Sequence, residues 1–221
     1  AEEVLQTLKV KEQGLTTEEA ASRQAAYGLN QLLEAPRPGL LSMLWEQINT
    51  FVVWLLIIAS VVSALLGDTI EASAIMAIVV LNAVLGIVQE RRAEEALAAL
   101  KNMLAPTARV RRASLIAVIP AIDLVPGDIL LLEAGDRIPA DARVLHAHSA
   151  EVAEAALTGE SHAVTKNPEA VDEKSALAER RSMVFMNTVV TRGRIEAVVT
   201  ATGMHTEMGK IAGLLAEAAE S

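Results

Sequence analysis

The stretch Leu124–Leu145, LVPGDILLLEAGDRIPADARVL, decides the fold of the second half of the chain. Two tight-turn signals, Pro126-Gly127-Asp128 and Gly135-Asp136, bound a short apolar run, and Pro139-Ala140-Asp141 opens the next run. Taken alone, the stretch indicates a β-hairpin with ordinary turn chemistry. Similar β-prone runs, separated by further turn signals, extend from Pro106 to about Gly203, and together they predict a compact all-β domain of about 100 residues.

Two uncharged apolar runs precede this domain. Ile48–Leu66 and Ala72–Val88 are separated by a short loop whose charged residues are Asp68 and Glu71. A bilayer core requires about 20 apolar helical residues, and about 17 suffice. We therefore predict a membrane hairpin with spans at about 48–66 and 70–88. The alternative, two buried helices of a soluble bundle, would require a larger surrounding domain than the rest of the chain provides.

The basic residues that flank the hairpin predict its orientation. Arg37 precedes the first run, and Arg91, Arg92 and Lys101 follow the second. Because positive charge favours the cytoplasmic side, both ends of the hairpin are expected in the cytoplasm. Helical spacing continues to about Leu104, which predicts a stalk that projects beyond the membrane.

Helix-capping signals mark both ends of the chain. Thr16 and Glu19 have the spacing of a capping box, and Gly28 is a stop signal, so a helix is predicted from about Thr17 to Tyr27. Thr206 is the expected N-cap of a final helix.

Composition and charge exclude several classes of function. The net charge of −9, without a basic cluster, argues against nucleic acid as a partner. The absence of cysteine excludes disulfides, thiolate catalysis and cysteine-ligated zinc. His146 and His148 would share one strand face, but the sequence offers no further ligands at defined positions, so no metal site is predicted.

The tetrapeptide Thr158-Gly159-Glu160-Ser161 is the candidate catalytic motif. Most such tetrapeptides are solvated turns. In the functional interpretation, Gly159 lets the backbone approach a substrate closely, and Glu160 accepts a proton from water. The hydroxyls of Thr158 and Ser161 would fix the angle of a water that attacks a phosphoryl group.

In order along the chain, these segments resemble the front end of a P-type cation-transporting ATPase, most closely a type II calcium pump. The resemblance rests on GLTTEEAASRQAAYGLN (14–30), NAVLGIVQERRAEEALAAL (82–100), the stretch 124–145, EAALTGES (154–161) and TATGMHTEMGKIA (200–212). It covers essentially all 221 residues.

The resemblance implies a function for the lone acid of the tetrapeptide. In the family, this loop lies on the actuator domain and reaches an aspartyl-phosphate formed in another domain. Glu160 would position and activate the water that hydrolyses this intermediate, with Thr158, Gly159 and Ser161 as the other catalytic residues. The implied partners are the lipid bilayer, the cation, preferably calcium, and the phosphorylation, nucleotide-binding and later membrane parts of a pump.

The resemblance also implies what this chain cannot do by itself. It contains no Asp-Lys-Thr-Gly-Thr phosphorylation sequence, so we expect no cofactor or metal site here. ATP and Mg²⁺ are implied only for the complete enzyme, and the 221-residue chain alone is expected to be inactive.

The predicted fold class is mixed: short N-terminal helices, a membrane α-helical hairpin with a helical stalk, and a compact, jelly-roll-like all-β actuator domain in the cytoplasm. The expected boundaries are 1–40 for the N-terminal helical part of the actuator, 41–104 for the hairpin and stalk, 105–205 for the β domain, and 206–221 for a helix leading toward a third span.

Five residues depart from the family pattern. Ala153 replaces the usual Asp, Ala163 the usual Pro, and Asn187 the usual Gly, while Ala113-Ser114 stands where an Asp-Gly turn is expected. Two other functions stay open from the sequence. One is a truncated, non-catalytic membrane protein that binds or regulates a full-length pump, and the other is a soluble β-domain binding module with two core helices.

Overall fold

The computed structural model of the chain describes residues 2–32, 39, 45, 49–103, 106–159, 162–172 and 174–220. The chain divides into two compact units. The helical unit comprises Ala35–Leu104, and the β unit joins Ala1–Glu34 to Ala105–Ser221.

Two short helices, α1 (Glu2–Thr7) and α2 (Thr17–Tyr27), open the β unit. The predicted bounds of α2 are confirmed, and so is its capping box: Glu19 N–H donates to Thr16 Oγ1, and Thr16 N–H donates to the Glu19 carboxylate. An apolar cluster that includes Leu5, Leu15 and Ala20 packs against residues of the sheet. The N-terminal helices therefore share a hydrophobic core with the β-strands.

Within its described residues, the helical unit contains α3 (Phe51–Leu65) and α4 (Thr69–Met103), which a tight turn joins. Ser60 Oγ donates to Ala72 O at 2.9 Å and links the two helices, while most of their large apolar side chains are exposed. The segment Thr69–Leu97 has a mean hydropathy of 2.2 over its most apolar window. At about 1.5 Å per residue its length exceeds the roughly 30 Å hydrocarbon core of a bilayer.

The predicted continuation of the helix beyond the second apolar run is confirmed as far as Met103, because α4 continues to that residue without interruption. By length and composition, α4 is long enough to cross a membrane, whereas the 15 described residues of α3 are fewer than a span requires. Ile48, Arg37 and Leu104, on which parts of the hairpin prediction depend, lie outside the described residues.

An antiparallel sheet forms the centre of the β unit. Its strands follow the order β2-β1-β3-β7-β4-β5, and β6 pairs with β4. The strands are β1 (Thr107–Arg112), β2 (Leu115–Pro120), β3 (Ile129–Glu133), β4 (Asp141–Ala153), β5 (Val164–Thr165), β6 (Met183–Val184) and β7 (Val189–Ala201). Strands β4 and β7 pair along nearly their whole length, with several β-bulges.

The turns predicted within Leu124–Leu145 are confirmed. Gly127 and Gly135 adopt φ values of 101° and 97°, and β3 lies between them. Strand β4 then begins at Asp141. The predicted absence of helix between Pro106 and Thr206 is wrong, because residues Ala155–Thr158 form one helical turn, α5, and three 3-10 turns also occur. One turn of helix is too short to produce a periodic apolar pattern in the sequence.

The last helix, α6 (Glu207–Glu220), is fixed to the sheet at its N-terminus. Thr206 is confirmed as its cap, since Thr206 Oγ1 accepts a hydrogen bond from Gly209 N–H. The buried carboxylate of Asp141, at the start of β4, accepts hydrogen bonds from the backbone N–H groups of Glu207 and Met186. Burial raises the pKa of Asp141, and these two hydrogen bonds partly offset that effect.

Three of the positions that depart from the family pattern have left-handed backbone. Ala113 and Ser114 form the two-residue loop between β1 and β2, with φ values of 46° and 66°. Asn187, which stands where glycine is usual, has φ 70°. Such conformations favour glycine or asparagine, because other side chains crowd the following carbonyl.

Ala113→Asn with Ser114→Gly is expected to stabilise the β unit by about 0.5–2 kcal/mol, because asparagine and glycine adopt the required turn with less strain. Hydrogen–deuterium exchange of the β1 and β3 amides in the detergent-solubilised chain measures the change. Ala117→Gly in the extended strand β2 is the control and is expected to lose about 0.5–1 kcal/mol. A loss of stability in both variants would contradict the assigned turn.

Candidate functional site

The candidate loop begins where β4 ends. Glu154 follows the strand, and its backbone carbonyl accepts hydrogen bonds from the N–H groups of Leu157 and Thr158. The Thr158 hydroxyl donates to the same carbonyl at 3.1 Å. The first half of the loop, α5, is therefore one compact helical turn in which three hydrogen bonds converge on the Glu154 carbonyl. One of the three donors is the Thr158 hydroxyl, which thus contributes to holding the turn.

Gly159 ends the helical turn in a left-handed conformation with φ 76°. Its N–H donates to Ala155 O at 3.0 Å. A Cβ at this position would have no atom within 4 Å, so glycine is required by the backbone conformation rather than by crowding. The exposed surface at Gly159 is accessible to an approaching group. Glu160 and Ser161, the other two residues of the predicted site, lie outside the described residues.

The second flank of the loop, residues 162–166, pairs with the end of β4. His162 and Ala163 are exposed, and then Val164–Thr165 forms β5, which pairs with Glu151 and Val152. Lys166 N–H donates to Ala150 O at 2.9 Å. Both flanks are thus held by the same end of the same strand.

A buried ion pair joins the two flanks. Glu154 Oε1 lies 2.6 Å from Lys166 Nζ, and both side chains have zero solvent exposure. Among the described residues, neither oxygen of the Glu154 carboxylate accepts a hydrogen bond, so the contact with Lys166 is an ion pair. The ammonium group also lies 3.5 Å from Arg180 O and 5.6 Å from the centroid of the Phe185 ring.

Burial shifts both groups toward their neutral forms. Burial raises the pKa of the Glu154 carboxyl, and the neighbouring ammonium offsets only part of that effect. Burial likewise lowers the pKa of Lys166, with Glu154 opposing the change. Such a pair is costly to desolvate, and Coulomb attraction repays the cost only when the geometry is good.

Neither residue of this pair was a candidate in the sequence. Glu154 and Lys166 flank the motif in EAALTGESHAVTK, and each resembles an ordinary solvated charge. The only indication of such a pair in the sequence is that the two residues carry opposite charges on opposite sides of one loop. His146 and His148 are both exposed on β4, and within the described part of the chain no group of three or more histidine or acidic residues could hold a metal ion.

The chain matches two family models. The model of the P-type ATPase actuator domain matches residues 102–216, and the model of the cation transporter/ATPase N-terminus matches residues 1–63. The match at 102–216 includes the sheet and the loop described above.

Several proteins are similar to the chain over nearly its whole length. "Calcium-transporting ATPase 1" of Bacillus cereus is 44% identical over 98% of the chain. "Calcium-transporting ATPase" of Bacillus subtilis is 43% identical over 93%, and "Calcium-transporting ATPase 4, endoplasmic reticulum-type" of Arabidopsis thaliana is 38% identical over 95%. The matches cover 25%, 23% and 21% of these relatives, respectively.

The sheet with its exposed glycine turn is thus an actuator domain, carried in one chain with a long apolar helix. The chain belongs to the P-type ATPase family, whose members are ion-translocating ATP hydrolases. It spans about a quarter of the length of the curated relatives it matches.

Lys166→Met is expected to lower the free energy of unfolding of the β unit by about 3–5 kcal/mol, because Glu154 stays buried without its partner. Since burial raises the pKa of Glu154, the folded state of this variant binds the proton more tightly than the unfolded state. Its stability should therefore fall as the pH rises from the usual carboxyl range. Hydrogen–deuterium exchange across a pH series measures both effects.

The double variant Glu154→Leu/Lys166→Met should recover most of the lost stability, because it buries no charge. Arg111→Gln is the matched control. It breaks the partly exposed pair with Glu196 and is expected to cost less than about 1 kcal/mol. If Lys166→Met cost no more than this control, the pair would not be buried as described.

Proposed function

We propose that this chain is the N-terminal segment of an ATP-driven calcium pump and that its loop 158–161 promotes hydrolysis of the aspartyl-phosphate intermediate. The match of residues 102–216 to the actuator domain carries the proposal. The exposed, glycine-turned loop at the end of β4 supports it, since such a loop can enter a site on another domain. Calcium is assigned as the cation because the three relatives named above are called calcium-transporting.

In the proposed reaction, the Glu160 carboxylate accepts a proton from a water molecule while the water oxygen attacks phosphorus. The bond between phosphorus and the aspartyl oxygen breaks, which releases inorganic phosphate and a free aspartate carboxylate. Gly159 allows the loop backbone to approach the phosphoryl group, and Thr158 holds the preceding turn. Ser161 would orient the water together with Glu160.

The complete pump would supply ATP and Mg²⁺ at its phosphorylation and nucleotide-binding parts. The described residues of this chain offer no cluster of acidic or histidine side chains that fits Mg²⁺. We expect the chain alone to be inactive. Its partners would be the lipid bilayer, the remaining parts of the pump and the transported cation.

We also propose a function for each segment of the chain. Residues 1–40 and 105–205 would form the actuator, residues 41–104 would form the membrane hairpin and stalk, and residues 206–221 would lead toward a third span. The stalk and the last helix would couple movement of the actuator to the ion path.

In the complete pump, Glu160→Gln should allow the phosphoenzyme to form from radiolabelled ATP but slow its decay by about 10²–10⁴-fold, because the general base is lost. A chase with unlabelled ATP measures the decay rate. Glu169→Gln, at an exposed glutamate of the same domain, is the matched control and should decay normally. Normal decay of the Glu160 variant would remove the assigned function and favour the non-catalytic regulator.

The proposed topology places both termini and the β unit in the cytoplasm. Because the chain has no cysteine, single cysteine substitutions report exposure without interference. Asp68→Cys, in the turn between α3 and α4, should react with a membrane-impermeant maleimide on intact cells. Lys174→Cys, exposed in the β unit, should react only after permeabilisation. The reverse pattern would contradict the topology.

A further inference from the structure

We infer that Glu154 and Lys166 are positioning residues for the catalytic loop: their ion pair fixes the separation of the two flanks between which Glu160 is presented. This inference rests on the function proposed for Glu160. It assigns the pair no contact with the phosphoryl group.

The pair closes the loop at its base. Residues 155–165 lie between the two charged residues in sequence, and each residue of the pair is also held through its backbone. The Glu154 carbonyl accepts the hydrogen bonds that form α5, and Lys166 N–H is bonded to Ala150 in β4. The 2.6 Å contact between their side chains therefore joins the start of the first flank directly to the end of the second.

Stability alone does not account for a charged pair at this position. The buried Asp128 carboxylate has three hydrogen bonds, two from Arg112 and one from Val125 N–H. Among the described residues, the Glu154 carboxylate is approached by a single ammonium group. Apolar side chains of similar size would usually stabilise a buried site as well as such a pair does, or better.

An ion pair does provide what an apolar contact lacks: a strong attraction that holds its two charged groups at a short distance. The Phe185 ring and the Arg180 carbonyl also lie close to the ammonium group and contribute to holding it in place. Arg181 is the other charge that influences Lys166, and it disfavours the ammonium form. A displacement of about 1 Å in a positioned catalytic group can reduce a reaction rate by about 10²-fold. A pair that fixes the two ends of the loop would therefore increase the rate at which the phosphoenzyme is hydrolysed.

The test is the decay of the phosphoenzyme, formed from radiolabelled ATP, in the complete pump carrying Glu154→Leu/Lys166→Met. This double variant should keep its stability and form phosphoenzyme to the normal level, yet its phosphoenzyme should decay about 10- to 100-fold more slowly. In the 221-residue double variant, the amides of residues 155–159 should exchange faster with deuterium while those of β7 stay protected. Normal decay, or unchanged exchange at 155–159, would overturn the inference.

Val110→Ala separates positioning from a general loss of stability. Val110 is fully buried in β1, so its truncation destabilises the same sheet without altering the loop base. It should leave the decay rate normal, and an equal slowing in this variant would also overturn the inference. Glu160→Gln in the same series tests the proposed function separately. If its phosphoenzyme decays slowly while that of the double variant decays normally, only the positioning inference fails.

Discussion

The positions of several elements in the β unit depend on the turn at 126–128. Arg23 of α2 donates to the carbonyl of Pro126, and Arg112 of β1 binds the Asp128 carboxylate through two hydrogen bonds of 2.7 Å. Strand β7 is joined to the same turn through backbone hydrogen bonds. Gly127 has a φ of 101°, which favours glycine, and a Cβ there would also crowd the Arg23 guanidinium and the Val10 side chain. One turn thus joins helix α2 to strands β1 and β7.

Other buried polar side chains of the β unit, like that of Asp128, make several hydrogen bonds each. The Asn30 side chain donates to two carbonyls, those of Ala121 and Pro139, and accepts from Gly203 N–H. Asp141 accepts two backbone hydrogen bonds. Each of these groups joins segments that are distant in sequence, and each recovers in hydrogen bonds much of what it loses by desolvation. Glu154 differs, because its burial is compensated mainly by one ammonium group.

The sequence predicts those parts of the fold that local chemistry determines. The capping box at Thr16, the turns around β3 and the length of α4 follow from residue types at fixed spacings, and the structure confirms them. The ion pair at Glu154 could not be predicted in that way, because burial of a charged residue depends on tertiary packing rather than on its neighbours in sequence. Likewise, the single turn of α5 carries no periodicity, and its helical form depends on the constraint at the end of β4. For the site, the sequence therefore identifies the motif but not the side chains that support it.

Strand β4 connects the candidate loop to α6, the last helix of the β unit. Asp141 at its first position caps α6, and Glu154, directly after its last position, supports α5 and binds Lys166. At about 3.3 Å per residue, the 13 residues of β4 extend over at most roughly 40 Å, and the strand pairs with β7 along most of this length, with bends at its β-bulges. Under the proposed function, a displacement of the loop on reaching a phosphoryl group would therefore be transmitted through one strand to α6.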